Sequence, residues 1–252
     1  MSGHPALVLT YHSIAPGPPP LHIAADRLAA QLDLLSSAGL EPVSLAAIVE
    51  SLERDRELPR PSFSVTFDDA YRNFAETALP ILERRGVPAT LFVTASADRA
   101  ALAHGTGAPL LALAELAALA ARGVEIGAHS ISHIDLTALG DDALRRELAL
   151  GREILERHAG RPVEHLAYPL GRFDARVRAA AAQVYRSAWT TQLRRVPRRA
   201  DRFALPRVDA HSLRSPLLRW LVAKGRPDGY LRVRRWLRRL RGSEPRRGAV
   251  AT

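Results

Sequence analysis

The chain predicts an α/β fold: a mainly parallel sheet or barrel wrapped by helices. Three observations carry this. Short β-type apolar runs alternate with helical stretches along most of the 252 residues, and such alternation implies parallel strands. The length suits a single domain of this kind with a sizeable core. Finally, His12, Asp68–Asp69, His129 and Tyr168-Pro-Leu-Gly171 each come directly after a predicted strand, and in such folds chemistry gathers at the carboxyl ends of the strands.

Ala6–Tyr11 reads as a buried strand. The proline-rich Pro16–Pro20 is a loop over the mouth of the sheet. Ala25–Ser37 places Leu28, Leu32 and Leu35 on one face of a helix that Gly39 closes. Phe63–Phe67 is a strand, Phe74–Arg85 a helix ending at Gly86, and Ala89–Thr94 a strand. After a loop at Ala101–Pro109 come a helix, Leu110–Arg122, closed by Gly123, and a strand, Val124–Ala128. Asp141–His158 is a long helix capped by Asp141 or Asp142. His165–Tyr168 is a short strand, Asp174–Gln183 a helix, Arg186–Thr191 a strand, and Leu205–Asp209 a last strand. The chain has no internal repeat.

Cysteine is absent, which excludes disulfides and thiolate metal sites. A metal would be held by His, Asp or Glu, as suits zinc, iron, nickel, cobalt or manganese. The start, Met1-Ser-Gly-His-Pro5, has no basic region, and the apolar run after it is too short for a signal or spanning segment. The expectation is a cytoplasmic protein. Charge is unevenly placed: from Arg214 onward lie 12 of the 36 basic residues and two of the 26 acidic ones, which accounts for the whole net charge of +10. The expected division is therefore a domain over 1–213 and a basic tail over 214–252.

Asp68–Asp69 and, sixty residues on, His129-Ser-Ile-Ser-His133 supply two carboxylates and two imidazoles. That is the ligand set of a hydrolytic metal centre, with one carboxylate left over as a base. Adjacent carboxylates repel, so one needs a cation nearby to stay ionised. An Asp-Asp pair alone reads better as a strand end followed by a helix cap; the histidine pair reverses that preference. His129 and His133, four apart, can present both rings on one side of a turn. His4, His22, His104, His158 and His165 have no partners at motif spacing and read as surface or loop residues.

Thr66-Phe-Asp-Asp69, His129-Ser-Ile-Ser-His133 and Ala167-Tyr-Pro-Leu-Gly171 resemble the first three motifs of the polysaccharide deacetylase family, the NodB-homology domain of carbohydrate esterase family four. The likeness continues through Leu9-Thr-Tyr-His-Ser13, Pro88-Ala-Thr-Leu-Phe-Val93 and Gly123-Val-Glu-Ile-Gly-Ala-His129, and covers about residues 5–210. The resemblance implies a distorted (β/α) barrel that removes acetyl groups from N-acetylhexosamine units of a polysaccharide, oligosaccharide or lipid-linked glycan. By motif position Asp68 is the general base. Asp69, His129 and His133 hold a divalent metal, zinc first, with nickel, cobalt, iron or manganese also suited. The backbone N–H of Tyr168 joins in stabilising the oxyanion.

Departures from the pattern are equally informative. The arginine that many members carry in the third motif is missing from His165-Leu-Ala-Tyr168, although the Ala-Tyr-Pro-x-Gly form is similar to that of a subgroup linked to exopolysaccharide genes. Arg207 is expected to fill that arginine's space beside the substrate, and Trp189 to wall the pocket. The general-acid histidine of the fifth motif has two replacements, His12 after the first strand and His211 near the usual place of the last motif; His12 is preferred. Two other functions fit the same residues less well: hydrolysis of a non-sugar amide, and a glycan-binding module with a dead site.

In the tail, Tyr230, Val233, Trp236, Leu237 and Leu240 recur at helical spacing, with Arg232, Arg234, Arg235, Arg238, Arg239 and Arg241 around them. A basic amphipathic helix with tryptophan on its apolar side suits an anionic membrane surface, which would set the protein at the inner membrane face. An equally good reading is a helix packed on the barrel with a solvated basic face. No nucleic-acid partner is expected, since no recognition motif accompanies the charge.

Overall fold

The computed structural model describes residues 6–58, 61–96 and 108–240. His4, His104, Arg241 and most of the loop expected at Ala101–Pro109 lie outside them. The chain runs β1 (Leu7–Tyr11), α1 (Ala25–Ser37), β2 (Glu41–Pro42), α2 (Leu45–Glu53), β3 (Ser62–Phe67), α3 (Leu79–Glu83), β4 (Ala89–Val93), α4 (Leu116–Ala121) and β5 (Glu125–Ala128). It continues through α5 (Asp141–Arg145), α6 (Gly151–Ala159), β6 (His165–Ala167), α7 (Ala175–Val184), β7 (Ser187–Trp189), β8 (Val208–Asp209), α8 (Pro216–Ala223) and α9 (Asp228–Leu240).

The sheet follows the order β7-β6-β5-β4-β3-β1-β8, with β2 beside the start of β3. Each of these pairings is parallel. The edges approach each other through the segment before β8, where Leu205 N–H donates to Ala188 O (3.0 Å) and Thr190 N–H to Leu205 O (2.7 Å). The sheet is thus curled into the distorted (β/α) barrel expected.

Both faces of the strands are covered, which explains their continuous apolar runs. Leu7, Leu9, Tyr11, Phe63, Val65 and Phe67 pack outward against the helices, with Leu28, Leu32 and Leu35 of α1. Val8, Phe92, Ala167, Trp189 and Leu205 form a second, inner cluster. α2, which the periodicity reading missed, packs Leu45, Ile48 and Val49 against this cluster. Its signals were present: Ser44 caps Ala47 N–H (3.1 Å), and apolar residues follow at helical spacing.

Other boundaries move. Phe74–Ala78 is a π-helical turn leading into α3, and Arg146–Leu150 another between α5 and α6. The long helix is capped at Gly140, with Asp141 and Asp142 in its first turn rather than at the cap. Leu110–Arg122 becomes helical only from Leu113, as a 3-10 turn followed by α4. The stretch expected as a tail forms α8 and α9, whose Leu218, Val222 and Leu231 are buried in the main core.

Candidate active site

The site is assembled at the carboxyl ends of β1, β3, β5 and β6. Parallel pairing puts Tyr11 beside Phe67, and Asp68 N–H extends that ladder to Tyr11 O (2.9 Å). His12 and Asp68 thereby leave the sheet together. His129 N–H donates to Val93 O (2.8 Å) as β5 ends. The turns that follow are tightly constrained. Of the six non-glycine residues with positive φ among those described, Asp69 (φ 70°), Ala70 (57°), Ser130 (61°), His133 (56°) and Leu170 (57°) lie on the site loops. Side chains rarely adopt this region, and such conformers cluster where geometry is under functional demand.

Asp69 Oδ1 lies 3.6 Å from His129 Nε2 and 3.5 Å from His133 Nε2, and the two nitrogens are 3.1 Å apart. Ligands about 2.0–2.2 Å from a tetrahedral zinc-like ion would stand roughly 3.3–3.6 Å from one another; the two oxygen–nitrogen sides match this and the nitrogen–nitrogen side is a little shorter, a donor set suited to a first-row divalent metal. The tautomer fits as well. His129 Nδ1 is 2.7 Å from Ala167 O; a carbonyl only accepts, so Nδ1 carries the proton and the Nε2 lone pair faces Asp69.

Glu147, which the sequence reading did not single out, holds the histidine loop. Its carboxylate accepts from Ile131 N–H (2.8 Å), Ser132 N–H (3.1 Å) and Ser132 Oγ (2.7 Å). His133 N–H donates to Ser130 Oγ (3.1 Å), so Ser130 shapes the turn.

Asp68 is buried against a buried Arg207. The guanidinium grips both carboxylate oxygens, at 2.7 and 2.9 Å, and also donates to Thr66 Oγ1 (3.0 Å) and Thr190 O (3.3 Å). It stacks 5.0 Å from the Phe92 ring centre. Burial opposes ionisation of Asp68, but the paired Arg207 guanidinium outweighs it and holds its carboxyl below the ordinary carboxylate range. Arg207 therefore does fill the space of the missing arginine, but as a positioning residue. The expectation that it contacts substrate is corrected: it is fully buried and its donors are spent inside the barrel.

These groups meet in a cavity of about 280 Å³ lined by His12, Leu21, Asp68, Asp69, His129, His133, Tyr168, Leu170, Gly171 and Thr191, near the low end for small-molecule sites. Of the two competing histidines, His12 lines it. His211 does not: it follows β8 in a turn where Asp209 Oδ1 accepts its N–H (2.9 Å). Trp189 does not wall the cavity either. It is fully buried in the inner cluster, with Nε1–H donating to Ser187 Oγ (2.9 Å). Tyr168 lines the cavity, but its N–H donates to Trp189 O (3.0 Å) in the β6–β7 ladder, so it is not available to an oxyanion. Gly171 and Arg172 N–H turn back to Tyr168 O and Pro169 O, and proline has no N–H. Leu170, with φ 57° on this turn and half exposed beside the cavity, carries the loop's other backbone donor.

His165 is the other correction. It is a fully buried member of β6, paired with Glu125 Oε1 at 2.9 Å at the opposite end of the barrel, and not a surface residue.

The polysaccharide deacetylase family model matches residues 55–188, a span containing Asp68, Asp69, His129 and His133. The chain is 25% identical over 202 residues to YxkH of Bacillus subtilis, whose name assigns it to the polysaccharide deacetylases; the match covers 80% of this chain and 70% of YxkH. Two solved structures share the fold. The Streptococcus pyogenes deacetylase PplD in complex with acetate superposes with a TM-score of 0.73 at 22% identity, covering 82% of this chain and 93% of its own. IcaB from Ammonifex degensii gives 0.72 at 23% identity, covering 90% and 98%. With the family model spanning more than half the chain and the paired aspartates and histidines inside it, the protein belongs to the polysaccharide deacetylase family, carbohydrate deacetylases that hydrolyse amide bonds.

Proposed function

We propose that the protein removes N-acetyl groups from N-acetylhexosamine units of a polysaccharide, an oligosaccharide or a lipid-linked glycan, and does so with a divalent metal. The observation that carries this reading is the juxtaposition of the Asp69–His129–His133 triangle with an ionised, arginine-clamped Asp68 in one cavity. A metal held by Asp69, His129 and His133, zinc being the best match to the donor set, would polarise the amide carbonyl and acidify the attacking water.

The protein's own residues supply the rest. Asp68, held anionic by Arg207, takes the proton from water as it adds to the carbonyl carbon. The Leu170 N–H donates to the developing oxyanion, a contribution of about 3–4 kcal/mol for a well-aimed donor. His12 delivers a proton to the departing sugar nitrogen. The C–N bond breaks, and acetate and a free amine leave.

The test is acetate release from N-acetylglucosamine oligomers, comparing metal-loaded wild type with Asp68→Ala. Metal-dependent release that the variant loses supports the reading. A protein that binds one metal and releases no acetate would direct attention to a non-sugar amide. A protein that binds no metal would refute the mechanism.

A further inference from the structure

α9 presents part of its apolar stripe outward and turns part of its basic face toward the protein. At about 100° per residue, Leu231 marks its inward side, and that side chain is buried. Arg235 and Arg238 fall on the same side and are half-buried; Arg238 reaches Asp209 Oδ2 at 4.0 Å. Of the apolar stripe, Tyr230 and Leu237 are half-buried, while Val233 is 57% exposed, Trp236 59% and Leu240 66%. α8 repeats the arrangement. Leu218 and Val222 are buried while Leu217 and Trp220 are 54% and 58% exposed. α9 thus packs on the barrel through Leu231 and Tyr230 and keeps Arg232 and Arg234 in solvent, while part of its apolar stripe is also presented outward.

Isolated exposed apolar residues need no explanation, but two tryptophans with three aliphatic side chains on consecutive helices do. Exposed Arg214, Lys224, Arg226, Arg232 and Arg234 lie on the same two helices and the segments beside them, and an occupant must suit both the apolar side chains and this charge. A second copy of the chain would bring like charges together. A helix that spans a bilayer is not among the described residues. Exposed aromatic side chains accompanied by exposed arginines, on helices lying against the body of the protein, match the boundary between acyl chains and anionic headgroups.

We propose that the outward stripes of α8 and α9 dock the protein onto an anionic lipid surface, with Trp220 and Trp236 entering the interface and the flanking arginines pairing with headgroup phosphates. The proposal stands independently of the deacetylase chemistry. The full-length protein is sedimented with vesicles of phosphatidylglycerol in phosphatidylcholine and with pure phosphatidylcholine vesicles. Expected are binding to the anionic vesicles at least tenfold above the neutral ones, and a blue shift of tryptophan emission. Trp189, buried and hydrogen-bonded, gives an internal reference whose emission does not move. Trp220→Ala with Trp236→Ala should abolish the shift and lower partitioning at least tenfold, with the thermal midpoint unchanged. Arg232→Gln with Arg234→Gln should lower it by about tenfold or more, since each basic residue near such a surface is worth about fivefold. Equal partitioning of wild type and the tryptophan variant, or equal binding to neutral and anionic vesicles, would overturn the proposal. So would a concentration-dependent dimer that the tryptophan variant loses while neither protein binds lipid.

Discussion

Strand β5 carries a histidine–carboxylate cluster at each end, and the two are built on opposite rules. At its start, Glu125 Oε1 pairs with His165 Nε2 (2.9 Å), and His165 Nδ1 is 2.8 Å from Ser187 Oγ. Ser187 Oγ also accepts from Trp189 Nε1, and Glu125 Oε2 from Thr90 Oγ1 (2.7 Å). This chain closes on itself: each member has a polar atom within 3 Å of another's. Past the other end of β5, His129 spends Nδ1–H on the backbone, and its Nε2 lies 3.1 Å from His133 Nε2 and 3.6 Å from Asp69 Oδ1. A histidine beside a carboxylate is thus not by itself a site. A saturated network rigidifies the barrel, whereas nitrogen lone pairs aimed together repel one another and call for a cation.

The comparison breaks most visibly at the carboxyl end. Asp69→Ala or His129→Ala should lower deacetylation by about a thousandfold or more, several kcal/mol of transition-state stabilisation, and reduce metal content by elemental analysis, while circular dichroism stays native. Next in size is Arg207→Ala, which strands a buried Asp68 and should cost about 3–5 kcal/mol of stability as well as most of the turnover; chemical denaturation measures the first. Arg207→Lys retains charge but loses the two-pronged grip, so it should fold and still turn over slowly. Normal kcat in Arg207→Lys would show that the grip does not position the base.

The amino end should fail differently. His165→Ala should lower Tm by about 4–8 °C, the cost of roughly 2 kcal/mol for an unsatisfied, partly solvated carboxylate in a chain of this size, with kcat unchanged once folded. If it lost metal and activity as Asp69→Ala does, the two clusters would not be separable. The pH dependence sharpens this. Burial raises the Glu125 pKa, but the bond and charge of His165, with Thr90, outweigh it and leave the carboxyl below its ordinary range. Its stabilisation is therefore present above about pH 4.3, the unfolded value, and is lost as pH falls through the lower folded value. The Tm of His165→Ala should change less than that of wild type across that acid window. The smallest effect is expected of Thr90→Val, about 1 kcal/mol for one hydrogen bond, read as a small Tm shift without change in metal content.

Much was legible in the sequence because it is local. Strand–helix alternation, the position of Asp68–Asp69 after an apolar run, and the four-residue spacing of His129 and His133 depend on neighbours along the chain, so fold class and the three-residue triangle followed from spacing and motif. His12 was legible for the same reason, as a residue leaving the first strand beside the one that carries Asp68.

Tertiary structure alone decided what depends on closing the barrel. Arg207 reaches Asp68 across 139 residues of sequence, and only the curl that brings the segment before β8 against β7 makes that contact. Tyr168 N–H looked available by motif position until the β6–β7 ladder claimed it, leaving Leu170 to carry the loop's other backbone donor. His165 and Trp189 look like solitary polar and aromatic residues until the pleat turns them into the interior. The hydrophobic stripe of α9 was plain in the sequence, yet which side of it met the protein was settled by where Leu231 and Arg238 could find partners. Periodicity dictates which residues share a face; the surface on which an element comes to rest dictates whether that face is buried or presented.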